Sequence, residues 1–392
     1  MKRVFRLWLM MMMFTGLGAG QDTKADEIIQ KAVDAMGGLE KIHALNSLVY
    51  RGFHYEGAYQ QEYERTKTSS SVLTRMRPGL RLVGCRPEIP ACQGEWGRYV
   101  EGFDGERGWE LNWPKQRLVR TVNKAEHALR CGAAFDYLFI DYKERGFTAT
   151  YVGKQTLLGV EVEGVNIVRP DCGVDGTTYY FDPQTYFVRM TRAAMPIHAR
   201  GDAIDTVSIY TAALEVNGVR LLSREEEVNL ATGDVIDGAA WTSIEANTLN
   251  DSEIFQAPAV HPSGITAVVL QMLAQSGHET PQQMMATYAE FRHSDAGKAA
   301  DTAYDLNWLG YELLKVDQYA YALPVFHQIV REHPRSADAF ENLGEAYIQK
   351  KDRKRAIKTL ERAVALGAND AVRKKLEELS SCRSQLPILP RC

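Results

Sequence analysis

Past residue 20 the sequence holds no apolar run long enough to span a bilayer, so no membrane-crossing helix is expected there. It also lacks the short motifs that announce chemistry. There is no His-Glu-x-x-His, no Gly-x-Ser-x-Gly and no Gly-x-x-x-x-Gly-Lys-Ser/Thr, the nearest approach to the last being Gly153-Lys154 followed by Gln155. These absences argue against a zinc protease, a serine hydrolase of the nucleophile-elbow type and a phosphate-loop enzyme. No cysteine pair has the Cys-x-x-Cys spacing of a zinc ribbon or a redox dithiol. The nine histidines are scattered, and His54, His127, His198 and His261 each stand alone among polar or turn neighbours, as surface or satisfied core histidines do. Positive charge is in deficit as well. The formal net charge is -4, which makes nucleic acid a poor partner. Nothing in the sequence calls for a metal or a cofactor.

What is present begins with an address. Lys2, Arg3 and Arg6 are followed by an unbroken apolar run from Leu7 to Phe14 and by the small residues Gly16, Gly18, Ala19 and Gly20, the layout of a secretory signal peptide over residues 1–20. Its removal takes three basic residues and moves the net charge from -4 to -7. An uncleaved N-terminal anchor is the alternative, and the shortness of the apolar segment argues against it. The six cysteines, Cys85, Cys92, Cys131, Cys172, Cys382 and Cys392, all lie beyond this segment. An even set outside the cytoplasm reads as disulfides. Local spacing pairs Cys85 with Cys92, Cys131 with Cys172 and Cys382 with Cys392, although six cysteines permit fifteen full pairings.

Residues 24–45 read as helix, with Ile29, Ala32, Val33 and Met36 on one face and Gly37-Gly38 as a stop before a further turn. From Ser47 to about Thr248 the chain alternates with period two and is broken by turn residues at Asp104-Gly105, Asp182-Pro183, Asn217-Gly218 and Gly233-Asp234, the pattern of an antiparallel meander. Phe147 to Gly153, Val160 to Val168, Thr177 to Asp182, Thr206 to Val216 and Val219 to Leu230 are the clearest strands. One helical insertion is expected from about Lys124 to Arg145, where Leu129, Phe135, Leu138 and Phe139 form an apolar set. Ala257-Pro258 and His261-Pro262 then mark a boundary. Beyond it Ile265 to Gln275 and Pro281 to Phe291 read as helices.

From about Ala303 the chain repeats itself after thirty-four residues. Leu306, Leu309, Gly310, Ala322 and Phe326 recur as Phe340, Leu343, Gly344, Ala356 and Leu360. This period and these residue types resemble the tetratricopeptide repeat, a helix-turn-helix unit, with units at about 303–336 and 337–370. The glycines admit close helix approach, and the alanines are small where the second helix crosses. Pro334 ends the first unit; Ala368 stands at the matching place in the second. The helices before Ser294 and from Asp370 to Ser381 are expected to cap the stack. In this family the first helix of each unit lines a groove for a partner, which by position implies Tyr304, Asn307, Tyr311, Asp338, Glu341 and Glu345 here. These are acidic and aromatic side chains, suited to a basic or mixed partner segment, though a solvated helix face has the same composition.

The N-terminal half resembles the superfamily of periplasmic lipoprotein carriers and outer-membrane lipoprotein-sorting proteins. The resemblance rests on Met36-Gly37-Gly38-Leu39-Glu40-Lys41-Ile42, on Ser47-Leu48 opening an early strand, on Phe103-Asp104-Gly105-Glu106-Arg107-Gly108-Trp109-Glu110-Leu111 and on Tyr179 to Tyr186. It covers residues 24–257 and implies a mainly antiparallel β half-barrel with a helical lid. Such a sheet either packs helices into its concave face or leaves an apolar hollow for acyl chains. Trp109, Trp113, Phe135, Leu138 and Phe139 are the candidates for lining or lidding it, although large apolar residues need no ligand to explain burial and ordinary core packing is the favoured account of each.

The expected protein is thus two-part, a β half-barrel over residues 21–258 and an all-α tetratricopeptide-type repeat within 259–381, followed by a tail at 382–392. The expected function is non-enzymatic: an exported envelope protein, periplasmic or extracellular, that binds an apolar ligand or acylated protein in the half-barrel and a protein partner on the repeats. Peripheral contact with a membrane is compatible with this. The alternative is an assembly adaptor with no lipid ligand. A third reading, a hydrolase, would rest on Glu225 and Glu227, which share one face of a strand about 6 to 7 Å apart. Arg220 and Arg224 beside them make the same run an ordinary solvated face.

Overall fold

The computed structural model describes residues 16–56, 71–84, 100–172, 176–193, 206–230 and 232–381. The chain forms two compact units, one of residues up to Pro114 together with Leu118–Pro258, the other of Lys115–Arg117 together with the residues from Ala259 onward. The first is built on helices α1 (Gly16–Met36) and α2 (Leu39–His43), then on strands β1 (Ser47–Glu56), β2 (Ser71–Met76), β3 (Leu80–Val83), β4 (Val100–Phe103), β5 (Gly108–Asn112) and β6 (Arg117–Arg120). Helix α3 (Asn123–Gly132) interrupts the strands, which resume as β7 (Thr148–Leu157), β8 (Val160–Val168), β9 (Thr177–Phe181), β10 (Val188–Ala193), β11 (Thr206–Val216), β12 (Val219–Asn229) and β13 (Val235–Ala246).

All thirteen described strands belong to one sheet in the order β6-β5-β4-β3-β2-β1-β13-β12-β11-β10-β9-β8-β7. Among the described residues its strand pairings are antiparallel, as the meander pattern predicts, and the pairing of β13 with β1 joins the two runs. Local chemistry fixes the turns. Leu158-Gly159 and Asn217-Gly218 both stand at positive φ, at 48° and 80° and at 51° and 74°, the geometry of two-residue hairpins. Asp104 accepts from the N–H groups of Glu106 and Arg107, and Asp182 from those of Gln184 and Thr185, so both sequence signatures are turns closed by an aspartate. At the end of α1, Gly37 lies so close to the β11–β12 turn that a Cβ there would come within 2.2 Å of Gly218 O. Only glycine fits that approach.

The sheet curves strongly. On a flat sheet β3 and β12 would be four strand spacings, about 19 Å, apart. Strands β1 and β8 stand six positions apart in the sheet, yet Leu48 and Tyr50 of β1 lie in one buried core with Val165 and Ile167 of β8, as in an open half-barrel. Arg81 of β3 and Glu225 of β12 act on each other electrostatically. One end of its concave face is filled: Ile28, Ala32, Val33 and Met36 of α1 are buried with Phe139, Ile140, Val165, Ile167, Phe181 and Val219. Here the structure corrects the expected helix from Lys124 to Arg145. Helix α3 stops at Gly132, and Phe135 to Gly146 runs as turns. Phe139 stacks on Tyr137 at 5.6 Å and meets Tyr179 and Phe181 edge-on at 5.0 and 5.6 Å, so these rings plug the concave face individually, without the spacing of a helix.

The second unit is helical: α4 (Gly264–Gln275), α5 (Pro281–His293), α6 (Asp295–Ala299), α7 (Ala303–Lys315), α8 (Tyr319–Glu332), α9 (Ala337–Gln349), α10 (Arg353–Ala365) and α11 (Asp370–Ser381). Helices α7–α8 and α9–α10 are the two thirty-four-residue units. Their steric logic is explicit: a Cβ on Gly310 would meet Phe326 Cζ at 2.6 Å, and one on Gly344 would meet Leu360 Cδ2 at 2.6 Å. Ala322 and Ala356 are fully buried. Pro334 falls just past α8, and Gly367, at φ 96°, follows α10. Helix α5 opens with a capping box in which Thr280 and Gln283 satisfy each other's backbone N–H groups.

Candidate functional site

Beyond its plugged end, the concave face of the half-barrel carries side chains that are neither core nor ordinary surface. Tyr210 of β11 stands directly opposite Glu225 of β12, and Ser208 opposite Glu227. Glu227 in turn pairs with Asp237 of β13. Trp241 of β13, half-buried, meets the core residue Tyr50 of β1 edge-on at 5.7 Å. Across the hollow, Arg75 of β2 and Arg81 of β3 are direct register partners. Burial pushes the phenols of Tyr137 and Tyr210 well up and lowers Arg81, while Tyr179 is pushed up to about 12 by burial against the donation it accepts from the Leu138 N–H. Tyr137, Tyr210, Arg75, Arg81 and Glu225 nevertheless keep accessible surface. Groups that are surrounded by protein yet still reach solvent line a concavity.

Glu225 shows the same environment from the acidic side. Burial raises its carboxyl, Ser208 opposes this by hydrogen bonding, and Glu227 and Asp237 raise it further by repulsion. Glu227 accepts from Thr206 Oγ1 at 2.7 Å. The pair therefore faces into the hollow and is held by the neighbouring strand's hydroxyls, a different setting from the open strand face expected beside Arg220 and Arg224. Arg224 lies on the other side, with Glu226 at 3.1 Å, and Tyr55 donates to the same Glu226.

The residues singled out from sequence separate into two places. Phe135, Leu138 and Phe139 come together in or against the core that plugs the concave face, with the guanidinium of Arg77 over the Phe135 ring at 4.7 Å. Trp109 does not join them. It is fully buried with its indole Nε1 donating to Phe255 O at 2.8 Å, while its neighbour Gly108 faces α3 through Leu129 and Glu126. Alternation along β5 thus puts Trp109 on the convex side. Trp113 is half-buried in a 3-10 turn, Trp113–Lys115, at the end of β5. Cys131 and Cys172 form a disulfide with Cα atoms 5.7 Å apart, tying the last turn of α3 to the chain after β8. Cys85, Cys92, Cys382 and Cys392 fall outside the described residues, as does the apolar run at Leu7 to Phe14.

Sequence reading missed Arg75, Arg81, Tyr137 and Tyr210. A signal for the arginines exists: each is three residues from Pro78 in a turn, and a hairpin centred there sets them side by side. Nothing local marks the tyrosines, Tyr137 from the turns after α3 and Tyr210 from β11, which pack against the same core only in the fold.

On the helical unit, Tyr304 is 60 % exposed, with Lys115 Nζ 4.4 Å from its ring centroid. Tyr311 donates to Asn342 Oδ1 at 2.7 Å, and Asn307 Oδ1 is buried with no hydrogen-bond partner among the described residues. Lys375 of α11 bonds Glu345 of α9 at 2.7 Å, and Lys375, Asp338 and Glu345 all act electrostatically on Glu341 of α9. Burial raises the Glu341 carboxyl; Lys375 lowers it, and Asp338 and Glu345 raise it.

A family model for the tetratricopeptide repeat matches residues 313–379, from the last turn of α7 into α11. These residues carry a tetratricopeptide repeat. No curated protein sequence matches the chain. Among solved structures, a DUF1329 family protein from Desulfovibrio piger is 8 % identical with a TM-score of 0.40, the alignment covering 60 % of this chain and 99 % of that one. A LolA superfamily protein from Nitrosomonas europaea is 11 % identical with a TM-score of 0.35, covering 59 % and 97 %. MamA from Desulfovibrio magneticus RS-1 is 21 % identical with a TM-score of 0.22, covering 30 % and 66 %. Among the described residues no helix is long and apolar enough to cross a membrane, and no group of three His, Cys, Asp or Glu side chains is placed to hold a metal ion.

Proposed function

We propose that the protein is a non-enzymatic exported envelope protein that binds an apolar ligand or acylated protein in the half-barrel and a protein partner on the helical repeat. The supporting observation is that Tyr137, Tyr210 and Trp241 keep accessible surface although they lie against the core of the curved sheet. Aromatic rings left accessible inside a curved sheet lose the burial they would gain in a closed core, about 1.5–3 kcal/mol for a large apolar side chain, and an acyl chain restores it. On the helices, the carboxylates of Asp338, Glu341 and Glu345 favour a partner segment bearing Lys or Arg. Salt should weaken that contact.

The adaptor reading has its own support: α1 and the Phe135–Ile140 segment already fill one end of the hollow. Displacement of a fluorescent acyl probe separates the two. In the first reading the full chain binds the probe stoichiometrically, and replacing Tyr210 by a bulkier, charged Arg lowers its affinity. A chain that takes up no probe at any concentration below its micelle threshold supports the adaptor and removes the ligand site.

A further inference from the structure

Two arginines set directly opposite each other on adjacent antiparallel strands repel, and unless something shares them the arrangement is destabilising. Arg75 and Arg81 are such a pair. The Nε atoms of both are buried and meet no hydrogen-bond partner among the described residues. Arg75 spends an Nη2 on the carbonyls of Gly132, at 3.3 Å, and Ala134, which are neutral acceptors that leave its charge unbalanced. Arg81 passes beside Gly132, where even a Cβ would come within 2.4 Å of Nη1, so the end of α3 leaves this guanidinium room. The charges that act on Arg81 are Glu101 of β4, Arg75 and, across the hollow, Glu225. Glu225 is a weak counter-ion, because burial, Glu227 and Asp237 all push it toward its neutral form.

We propose that Arg75 and Arg81 form a seat for the oxyanion head, carboxylate or phosphate monoester, of an amphiphile whose chain lies along the tyrosines of the hollow. The proposal rests on the reading of the hollow as a ligand site. A guanidinium presents its N–H groups as a planar fork that matches two oxygens of one head, and two facing forks can share a single head. One oxyanion between them turns the repulsion into attraction and satisfies both orphaned N–H groups. The accessible tyrosines of the hollow, Tyr137 and Tyr210, offer ring surface to the chain without adding charge.

The test uses the full chain, freed of bound lipid and titrated calorimetrically with dodecanoate, dodecyl phosphate and dodecanol, each below its micelle or solubility limit. The three probes share a chain and differ in the head. At least one oxyanion is expected to bind about tenfold or more tighter than the alcohol, the scale of a charged hydrogen bond, and whichever oxyanion is tighter identifies the head. Arg81→Gln is expected to erase that preference over dodecanol, and Arg81→Lys to keep part of it. Equal affinity for all three heads in the wild type, or a preference that survives Arg81→Gln, overturns the seat while leaving the ligand site standing. No binding of any probe overturns both. The wild-type comparison needs no variant to fold.

Discussion

Replacing Gly310 by Ala sets two effects of opposite sign against each other. In a helix interior alanine is favoured over glycine by about 1 kcal/mol. In α7 the new Cβ would lie 2.6, 2.8 and 2.9 Å from Cζ, Cε2 and Cε1 of Phe326. Ordinary carbon contacts sit at about 3.5–4.0 Å, so helix or ring must move by roughly 1 Å. Phe326 has nowhere to go: it is fully buried and held edge-on by Tyr311 at 5.4 Å. Overpacking of this kind costs about 1–3 kcal/mol, and three ring atoms in overlap put it toward the upper end. The expected net loss is about 1–2 kcal/mol, read from urea unfolding of the full chain at 222 nm, where the helices dominate, with the slope against urea unchanged. Phe326→Leu removes the clashing ring atoms. The double variant should therefore be at least about 1 kcal/mol more stable than the sum of the singles predicts, a coupling expected only of residues in contact. A Gly310→Ala chain more stable than wild type, with additive double-variant energies, would refute the argument that close helix approach fixes this glycine.

Two further expectations follow from other parts of the chain. Removing the Cys131–Cys172 bridge, which closes a separation of 41 residues, by a double Ser substitution should cost about 4 kcal/mol from the freed unfolded chain, seen as a lower melting temperature that reductant reproduces in the wild type. Glu225→Gln should stabilise the protein at neutral pH. The folded carboxyl is raised, so the folded state holds its proton more tightly than the unfolded one and stability falls as pH rises past the ordinary carboxylate range. The gain from Gln should accordingly vanish near pH 4, and a gain that persists there would mean packing, not charge, is responsible.

The repeat was legible because each of its constraints is local. Gly310 against Phe326 and Gly344 against Leu360 each sit sixteen residues apart within one helical pair, and the same demand recurs after thirty-four. The strands were legible from their Val, Ile, Thr and Tyr content and the turn residues between them, although Val160 to Val168 buries both faces, Val165 and Ile167 in one core and Val162 in another. Legibility ended where meaning depends on curvature. Phe135, Leu138 and Phe139 have the spacing of a helical face, yet the chain turns after Gly132 and each ring finds its own contact in the core. Trp109 looked like a lining residue because it is large and follows a turn signature. Its face was decided by parity with Gly108 and by Phe255, nearly 150 residues away, whose carbonyl takes its indole. Glu225 and Glu227 read as a solvated run because their sequence neighbours are arginines, whereas their surroundings are Ser208, Thr206 and Asp237 on adjoining strands.

The central claim is that the half-barrel holds an apolar ligand, and native mass spectrometry tests it most directly. The full chain would be exported, purified without detergent and weighed before and after solvent extraction. The account predicts a mass above that of the polypeptide, carried by an acyl species that extraction releases. A bare polypeptide mass, unchanged after incubation with phospholipid and with acylated peptide, would contradict it and leave the repeat as the binding surface.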